Sequence, residues 1–495
     1  MNNVIEKQNY LEKYRPQYHF SPASNWMNDP NGMVFYNGEY HLFYQYHPNG
    51  TTWGPMHWGH AVSKDLVHWE HLSIGLAPDE NGMIFSGSAV VDWNDSSGFF
   101  DGKSGLVAIF THADTYPDSN RPRQRQSLAF SKDNGRTWTK YVGNPVLQEE
   151  SIIDFRDPKV FWHRDTNRWV MVLAAGQTIR IYTSKNLTSW EFSSEFGEGH
   201  GSHDGVWECP DLFQLPVEGD DNQKKWVLFV SIGDDPSLQE GSRTQYFIGD
   251  FDGHSFVNDS SPETILWIDH GRDNYAGVSW SDVPAEDGRR IYIGWMSNWR
   301  YANVTPTKEW RSAMTIPRVI TLKTTEEGVR LVQNPIRELQ GLRVENISIQ
   351  NEVVVPGVNL LSNVNSNTFE IIAEFEMSSA TEFGFKVCKG SKEETIIGYD
   401  VKNKSFFVDR TNSGEASFHD SFAGKHDSNL ISQKIIKFHI FVDRSSVELF
   451  GNDGESVITD LIFPNEENKQ MELFVKNGEV KLHSLELYIL KSIWR

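Results

Sequence analysis

The sequence predicts an all-β protein, a five-bladed β-propeller followed by a C-terminal β-sandwich. Three observations predict it. The helical period is nearly absent, and short apolar or alternating runs bounded by Gly, Asn and Asp dominate the 495 residues. Similar strand-like units start near residues 29, 86, 157, 208 and 276, and repeated units that cannot bury their faces alone must stack on one another. Near Arg318 the repetition stops and a different series of alternating strands takes over.

The first unit opens at Asn28-Asp29-Pro30-Asn31-Gly32 and reads Met33–Tyr36, a turn at Asn37-Gly38, then Tyr40–Tyr46. In the second, Ser86–Val91 leads into Gly105–Thr111. The third starts at Arg156-Asp157-Pro158 and reads Lys159–Trp162, then Trp169–Ala174. The fourth starts at Trp207-Glu208-Cys209-Pro210-Asp211 and reads Leu212–Leu215, then Trp226–Ser231. Ala276–Trp280 and Arg290–Met296 make the fifth. A second repeat runs alongside: Ser63-Lys64-Asp65 ends in Trp69, Ser131-Lys132-Asp133 in Trp138 and Ser184-Lys185-Asn186 in Trp190, with a looser copy ending at Phe256. These units place a propeller over residues 1–330. Gln333–Leu339 reads as a short helix in a linker spanning 331–350, and the strands of 351–495 alternate as in an antiparallel sandwich.

Composition is globular, with 38% hydrophobic and 23% charged residues. A net charge of −21 disfavours nucleic-acid and anionic-membrane partners, which need clustered Lys and Arg. Aromatics reach 13%, an excess that suits a carbohydrate ligand. Two cysteines, Cys209 and Cys388, form no disulfide framework and no zinc spacing, so neither metal nor cofactor is expected. Met1 to Tyr18 is polar and charged, without an apolar leader, and no run reaches transmembrane length. A cytoplasmic protein is expected from the sequence as written, or a secreted one if a leader has been removed. The oligomeric state is left open.

The chemistry lies in the acids that open the first, third and fourth units. One Asp-Pro pair is an ordinary turn signal; acids at matched positions of repeated units converge on one axis. Arg156 beside Asp157 is expected to keep that carboxylate ionised, whereas Trp207, Cys209 and Pro210 give Glu208 an apolar setting that favours a retained proton. Asn28 and Asn31 supply amide donors around Asp29. Carboxyl groups held in contrasting environments are what glycosidic-bond cleavage needs. No Gly-x-Ser-x-Gly elbow, His-Glu-x-x-His or P-loop competes, and the glycine-rich tract 197–205 lacks a strand–turn–helix context.

Trp26–Gly32, Phe85–Ser88, Phe155–Pro158 and Trp207–Pro210, taken in order, closely resemble the signature blocks of glycoside hydrolase family 32, which holds invertases, inulinases, levanases and sucrose-6-phosphate hydrolases. The resemblance runs from about His19 to the C-terminus, including Ser445–Glu448. It implies a retaining, exo-acting β-fructofuranosidase that takes terminal fructose from sucrose, fructo-oligosaccharides, inulin or levan. It assigns Asp29 as nucleophile, Glu208 as general acid/base and Asp157 as transition-state stabiliser. Asn28, Gln45, Trp53, Ser86 and Arg156 are implied as fructose contacts, with Trp295 as a pocket wall. The tract Trp53–His71 and the glycines before Glu208 look most like exo-acting enzymes of levanase type. Sucrose-6-phosphate hydrolysis, or fructosyl transfer with the same acids, are the alternatives within the family. A non-catalytic fructan-binding propeller would lack the acids, and an arabinan-cleaving relative would lack the Trp26–Gly32 block.

Overall fold

A computed structural model describes residues 10–429 and 433–494, with side chains throughout except at 220–222. The expectation of no leader falls partly on residues 1–9, outside the described residues.

Five antiparallel blades follow one another along the chain. Their innermost strands are Asn25–Tyr36, Met83–Asp92, Phe155–His163, Trp207–Val217 and Tyr275–Ser279. All five expected starts therefore open a blade. Blades one and two continue outward through Glu39–His47 and Gly105–Thr115, and blade three through Arg168–Ala175. Along the innermost strand of blade one nearly every residue is buried, polar ones included, so it shows no in–out alternation. Each blade completes its core with the next. Val90 and Ile109 pack with Val160 and Met171, Val170 and Val172 with Leu212 and Val230, and Phe213 and Phe229 with Tyr292 and Ile320. Met33 and Leu42 close the ring against Trp280 and Ile291.

The ring is also tied by hydrogen bonds. Trp280 Nε1 donates to the carbonyl of His41 at 2.9 Å, and Asn25 and Trp26 pair in parallel with Trp310 and Arg311. The Ser-Lys-Asp repeat is a capped turn: Ser63, Ser131 and Ser184 hydroxyls donate to Asp65, Asp133 and Asn186, and the anchoring Trp69, Trp138 and Trp190 donate indole N–H to the carbonyls of Leu66, Gly135 and Leu187.

Two expectations change here. Blade five continues outward through Arg318–Thr325 and Gly328–Pro335, beyond the expected end of the repetition near Arg318. Residues 333–335 of the expected linker helix thus lie in a strand, and a 3-10 helix spans only Arg337–Leu342 before the sandwich strand Arg343–Val354 begins. Pro335 lacks an N–H for a helix to use and Asn334 pairs with Val319, so the strand ladder wins there.

The sandwich packs a six-stranded sheet that includes Phe369–Met377 and Ile435–Asp443 against a five-stranded sheet that includes Glu382–Lys389 and Ser405–Asn412. Phe375, Phe383, Phe385, Phe406 and Phe438 interlock edge-to-face between them. It docks on the propeller through buried charge. His19 bridges Asp443 and Glu448, each at 2.8 Å, and Arg318 donates to Glu448 at 2.5 Å and to Asp269 at 3.2 Å.

Candidate active site

Every innermost strand carries a β-bulge at the same level. Asn28 and Asp29 oppose Gln45; Phe85 and Ser86 oppose Thr111; Asp157 and Pro158 oppose Leu173; Cys209 and Pro210 oppose Val230; Ala276 and Gly277 oppose Gly294. A bulge bends its strand and re-aims the side chains beside it. Asp157, Cys209 and Ala276, the first bulge residues of their blades, take φ of 65°, 46° and 53°. For non-glycine residues this left-handed backbone costs roughly 1 kcal/mol or more each, which the surrounding sheet holds in place. Proline fits immediately after Asp157 and Cys209 because a bulged position needs no ladder donor.

The acids are not at matched positions. Asp29 is the second bulge residue of blade one, Asp157 the first of blade three, and Glu208 the residue before the bulge of blade four. This stagger still brings all three into one open pocket of about 460 Å3 at one end of the propeller. Asn28, Gln45, Trp53, Phe85, Ser86, Gln124, Asp154, Arg156, Trp299 and Asn303 complete its lining.

Asp29 lies on the floor, only 9% exposed. The Ser86 hydroxyl donates to its Oδ2 at 2.7 Å and Asn28 Nδ2 donates to Oδ1 at 3.1 Å. Trp26 fixes that amide by donating its indole N–H to Asn28 Oδ1 at 2.7 Å. Asn31, expected beside Asp29, instead accepts from Gln45 at 2.8 Å and donates to the Pro30 carbonyl. Burial raises Asp29 above the ordinary aspartate range and the charge of Glu208 adds to the rise, while the Ser86, Asn28 and Cys209 contacts oppose it.

Asp157 Oδ2 accepts the backbone N–H of Cys209 at 3.0 Å. Burial raises its carboxyl also, and Arg156 pulls the other way. The Cys209 thiol lies 3.4 Å from Asp29 and 3.5 Å from Asp157. Burial followed by the neighbouring carboxylates lifts it well above a normal thiol, so it remains an S–H donor rather than a thiolate.

Arg156 pairs more closely with Glu208 than with its sequence neighbour Asp157. Arg156 donates to Glu208 Oε1 through Nε at 3.2 Å and Nη2 at 2.9 Å, whereas its nearest approach to Asp157 is 3.9 Å. Asp154 and Gln124 hold the other edge of the guanidinium at 2.6 and 3.2 Å. The Tyr275 hydroxyl donates to Glu208 Oε2. Trp207 points away, donating its indole N–H to the Ser202 carbonyl, and so does not shield the acid.

Trp53 stands in the pocket rim, 42% exposed, with its backbone N–H on Asn303 Oδ1 at 2.9 Å. Trp295 does not wall the pocket. It is fully buried behind it, 6.0 Å from Trp26 and 4.8 Å from Trp299, and Trp299 takes the wall position. The residues not anticipated are Gln124, Asp154, Tyr275, Trp299 and Asn303. Asp154, two residues before Arg156, and Tyr275, next to Ala276 at the start of the fifth unit, stood close to motifs.

Among the described residues, no group of three or more His, Cys, Asp or Glu could hold a metal ion, and no helix is long and apolar enough to cross a membrane.

Comparison with known proteins supplies the family. The chain is 56% identical over 492 residues to a levanase of Bacillus subtilis (strain 168), a match covering 98% of this chain and 72% of that protein. It is 40% identical over 525 residues to an extracellular exo-inulinase of Aspergillus awamori, covering 98% and 96% of the two chains. The crystal structure of an exo-inulinase from Aspergillus awamori superposes with a TM-score of 0.89 at 38% identity, covering 98% of this chain and all of the other. The model of the glycosyl hydrolases family 32 N-terminal domain matches residues 19–335, and that of the family 32 C-terminal domain matches 338–489. With the propeller ending at Pro335, the sandwich beginning at Arg343 and three carboxylates in one pocket, the chain belongs to glycoside hydrolase family 32.

Proposed function

We propose that the protein is a retaining, exo-acting β-fructofuranosidase that releases terminal fructose from sucrose, fructo-oligosaccharides and fructans. The carrying observation is the single pocket in which Asp29, Asp157 and Glu208 meet from three different blades. Asp29, enclosed on the floor and oriented by Ser86 and Asn28, attacks the anomeric C2 directly. Glu208, on the wall with a fifth of its side chain exposed, protonates the leaving oxygen and then activates water against the fructosyl-enzyme. Asp157 accepts hydrogen bonds from fructose hydroxyls as oxocarbenium character develops. Arg156 and Tyr275 fix the Glu208 carboxyl group. Asn28, Gln45, Ser86 and Trp53 contact the sugar, with Trp299 in the wall.

The ionisable lining comprises Asp29, Asp154, Asp157, Glu208 and a single cation, Arg156, which is already occupied by carboxylates. A phosphorylated substrate would meet repulsion, so neutral sugars are the substrates and sucrose 6-phosphate is not. The pocket's size favours chain ends over chain interiors. Polymeric fructans do not cross membranes, so action on levan or inulin requires the enzyme outside the cell, whereas sucrose and short oligosaccharides suit either side.

The test is a product profile on levan, inulin and sucrose. Free fructose should appear from the first time point. A ladder of oligosaccharides without fructose would overturn exo action, and transfer products dominating at low sugar would overturn hydrolysis.

A further inference from the structure

The segment leading into the innermost strand of blade five is clamped by the sandwich. His270 N donates to the Val457 carbonyl at 2.9 Å, Asp273 N to the Thr459 carbonyl at 3.1 Å, and Arg272 N to Asp460 Oδ1 at 3.0 Å. The two backbones lie so close that a Cβ on Gly271 would sit 2.1 Å from the Thr459 oxygen. Thr459 also donates through N and Oγ1 to Asp269 at 2.8 and 2.6 Å, and Asp269 accepts from Asn274 at 3.1 Å.

At the centre stands Arg410, a sandwich residue with no exposed surface. Its Nη1 donates to Asp273 Oδ2 at 2.6 Å, and Asp273 Oδ1 accepts the Tyr301 hydroxyl at 2.7 Å. Arg410 Nη2 donates to that same hydroxyl at 2.9 Å, closing a three-membered network, and Leu461 N donates to Asp273 at 2.8 Å. Asp273 is two residues before Tyr275, whose hydroxyl holds Glu208, and Ala276 N donates to Ser231, the cross-strand partner of Glu208.

We propose that Arg410 is a positioning residue for the reaction. Through Asp273 it fixes the backbone that presents Tyr275 to Glu208, so the sandwich domain takes part in proton transfer. The proposal rests on Glu208 acting as the acid/base. Its physical basis is that a planar, always charged fork satisfies a buried carboxylate and a hydroxyl in one arrangement only, which a lysine cannot reproduce.

The test uses leaving-group dependence, which a purely structural role would not change. Arg410→Lys and Tyr301→Phe are assayed on sucrose, which needs leaving-group protonation, and on 4-nitrophenyl β-fructofuranoside, which needs little. General acid catalysis contributes roughly a hundredfold or more, so partial mispositioning in Arg410→Lys should cost about tenfold in kcat/KM on sucrose and less than about twofold on the aryl fructoside. Tyr301→Phe removes one hydroxyl and should show the same split at about threefold, which keeps the test open if Arg410→Lys does not fold. Equal losses on both substrates, or none, in folded variants would overturn the proposal. Glu208→Gln run in parallel separates the causes. If it shows the split and the other two variants do not, the coupling alone is wrong; if it shows none, the acid/base assignment fails and the proposal with it.

Discussion

Replacing Ser86 by alanine should move the acid limb of the pH profile upward. Asp29 must be ionised to attack C2, and burial already holds its carboxyl above the ordinary aspartate range. The Ser86 hydroxyl opposes that rise by donating at 2.7 Å to Oδ2. A hydrogen bond to an ionised group is worth about 1.5–3 kcal/mol, and about 1.4 kcal/mol is tenfold in a protonation equilibrium. Ser86→Ala should therefore shift the acid limb of kcat/KM to higher pH by about one to two units. The assay is kcat/KM on sucrose across the acid range, which reports the free enzyme. Loss of a sugar contact lowers every point by the same factor, so the position of the limb isolates the effect on Asp29. A limb that stays in place, or moves to lower pH, would refute the reasoning.

Three further outcomes are expected. Asp157→Asn should keep the fold and lose at least about a hundredfold in kcat with a smaller change in KM, because its hydrogen bonds tighten in the transition state; a loss confined to KM would contradict this. Glu448→Ala should destabilise the protein by about 3–5 kcal/mol in urea unfolding, since His19 and Arg318 would lose a buried partner; a change below about 1 kcal/mol would place the interface elsewhere. Burial lowers His19, but the bonds from Asp443 and Glu448 outweigh it and raise the imidazole to about 9. A raised folded-state value gives stability that is complete below the unfolded imidazole value and is lost as pH rises through about 9, so the stability gap between the parent and His19→Gln should narrow at alkaline pH.

Much of this architecture was legible in the sequence because punctuation is local. Gly, Asn, Asp and Pro mark each blade's start, and the Ser-Lys-Asp turn with its tryptophan needs only residues a few places apart. What escaped depends on partners far along the chain. The bulges at Asn28–Asp29 and Cys209–Pro210 are two-against-one counts with the neighbouring strand, so the stagger of the three acids is invisible in any single motif. Arg156 and Asp157 are adjacent, but the bulge at Asp157–Pro158 breaks the strand's alternation so that both line the pocket, and the guanidinium reaches Glu208 across the blade boundary. Trp295 and Trp299 differ only in context. The first lies within a strand, buried against Trp26, and the second lies just past that strand and lines the pocket. The outer strands of blade five lack the Ser-Lys-Asp signal, which is why the repetition reads as stopping near Arg318.

The central claim is the division of labour between Asp29 and Glu208, and one measurement reaches it most directly. A Glu208→Ala variant, given a fructoside with a good leaving group, should complete the first step and stall at the second, since no base remains to activate water. Peptide mass spectrometry of the stalled enzyme should find one fructosyl unit on the peptide carrying Asp29, and azide should release it as the β-fructosyl azide. An adduct on Asp157, or release of sugar with inverted configuration and no adduct at all, would contradict the account.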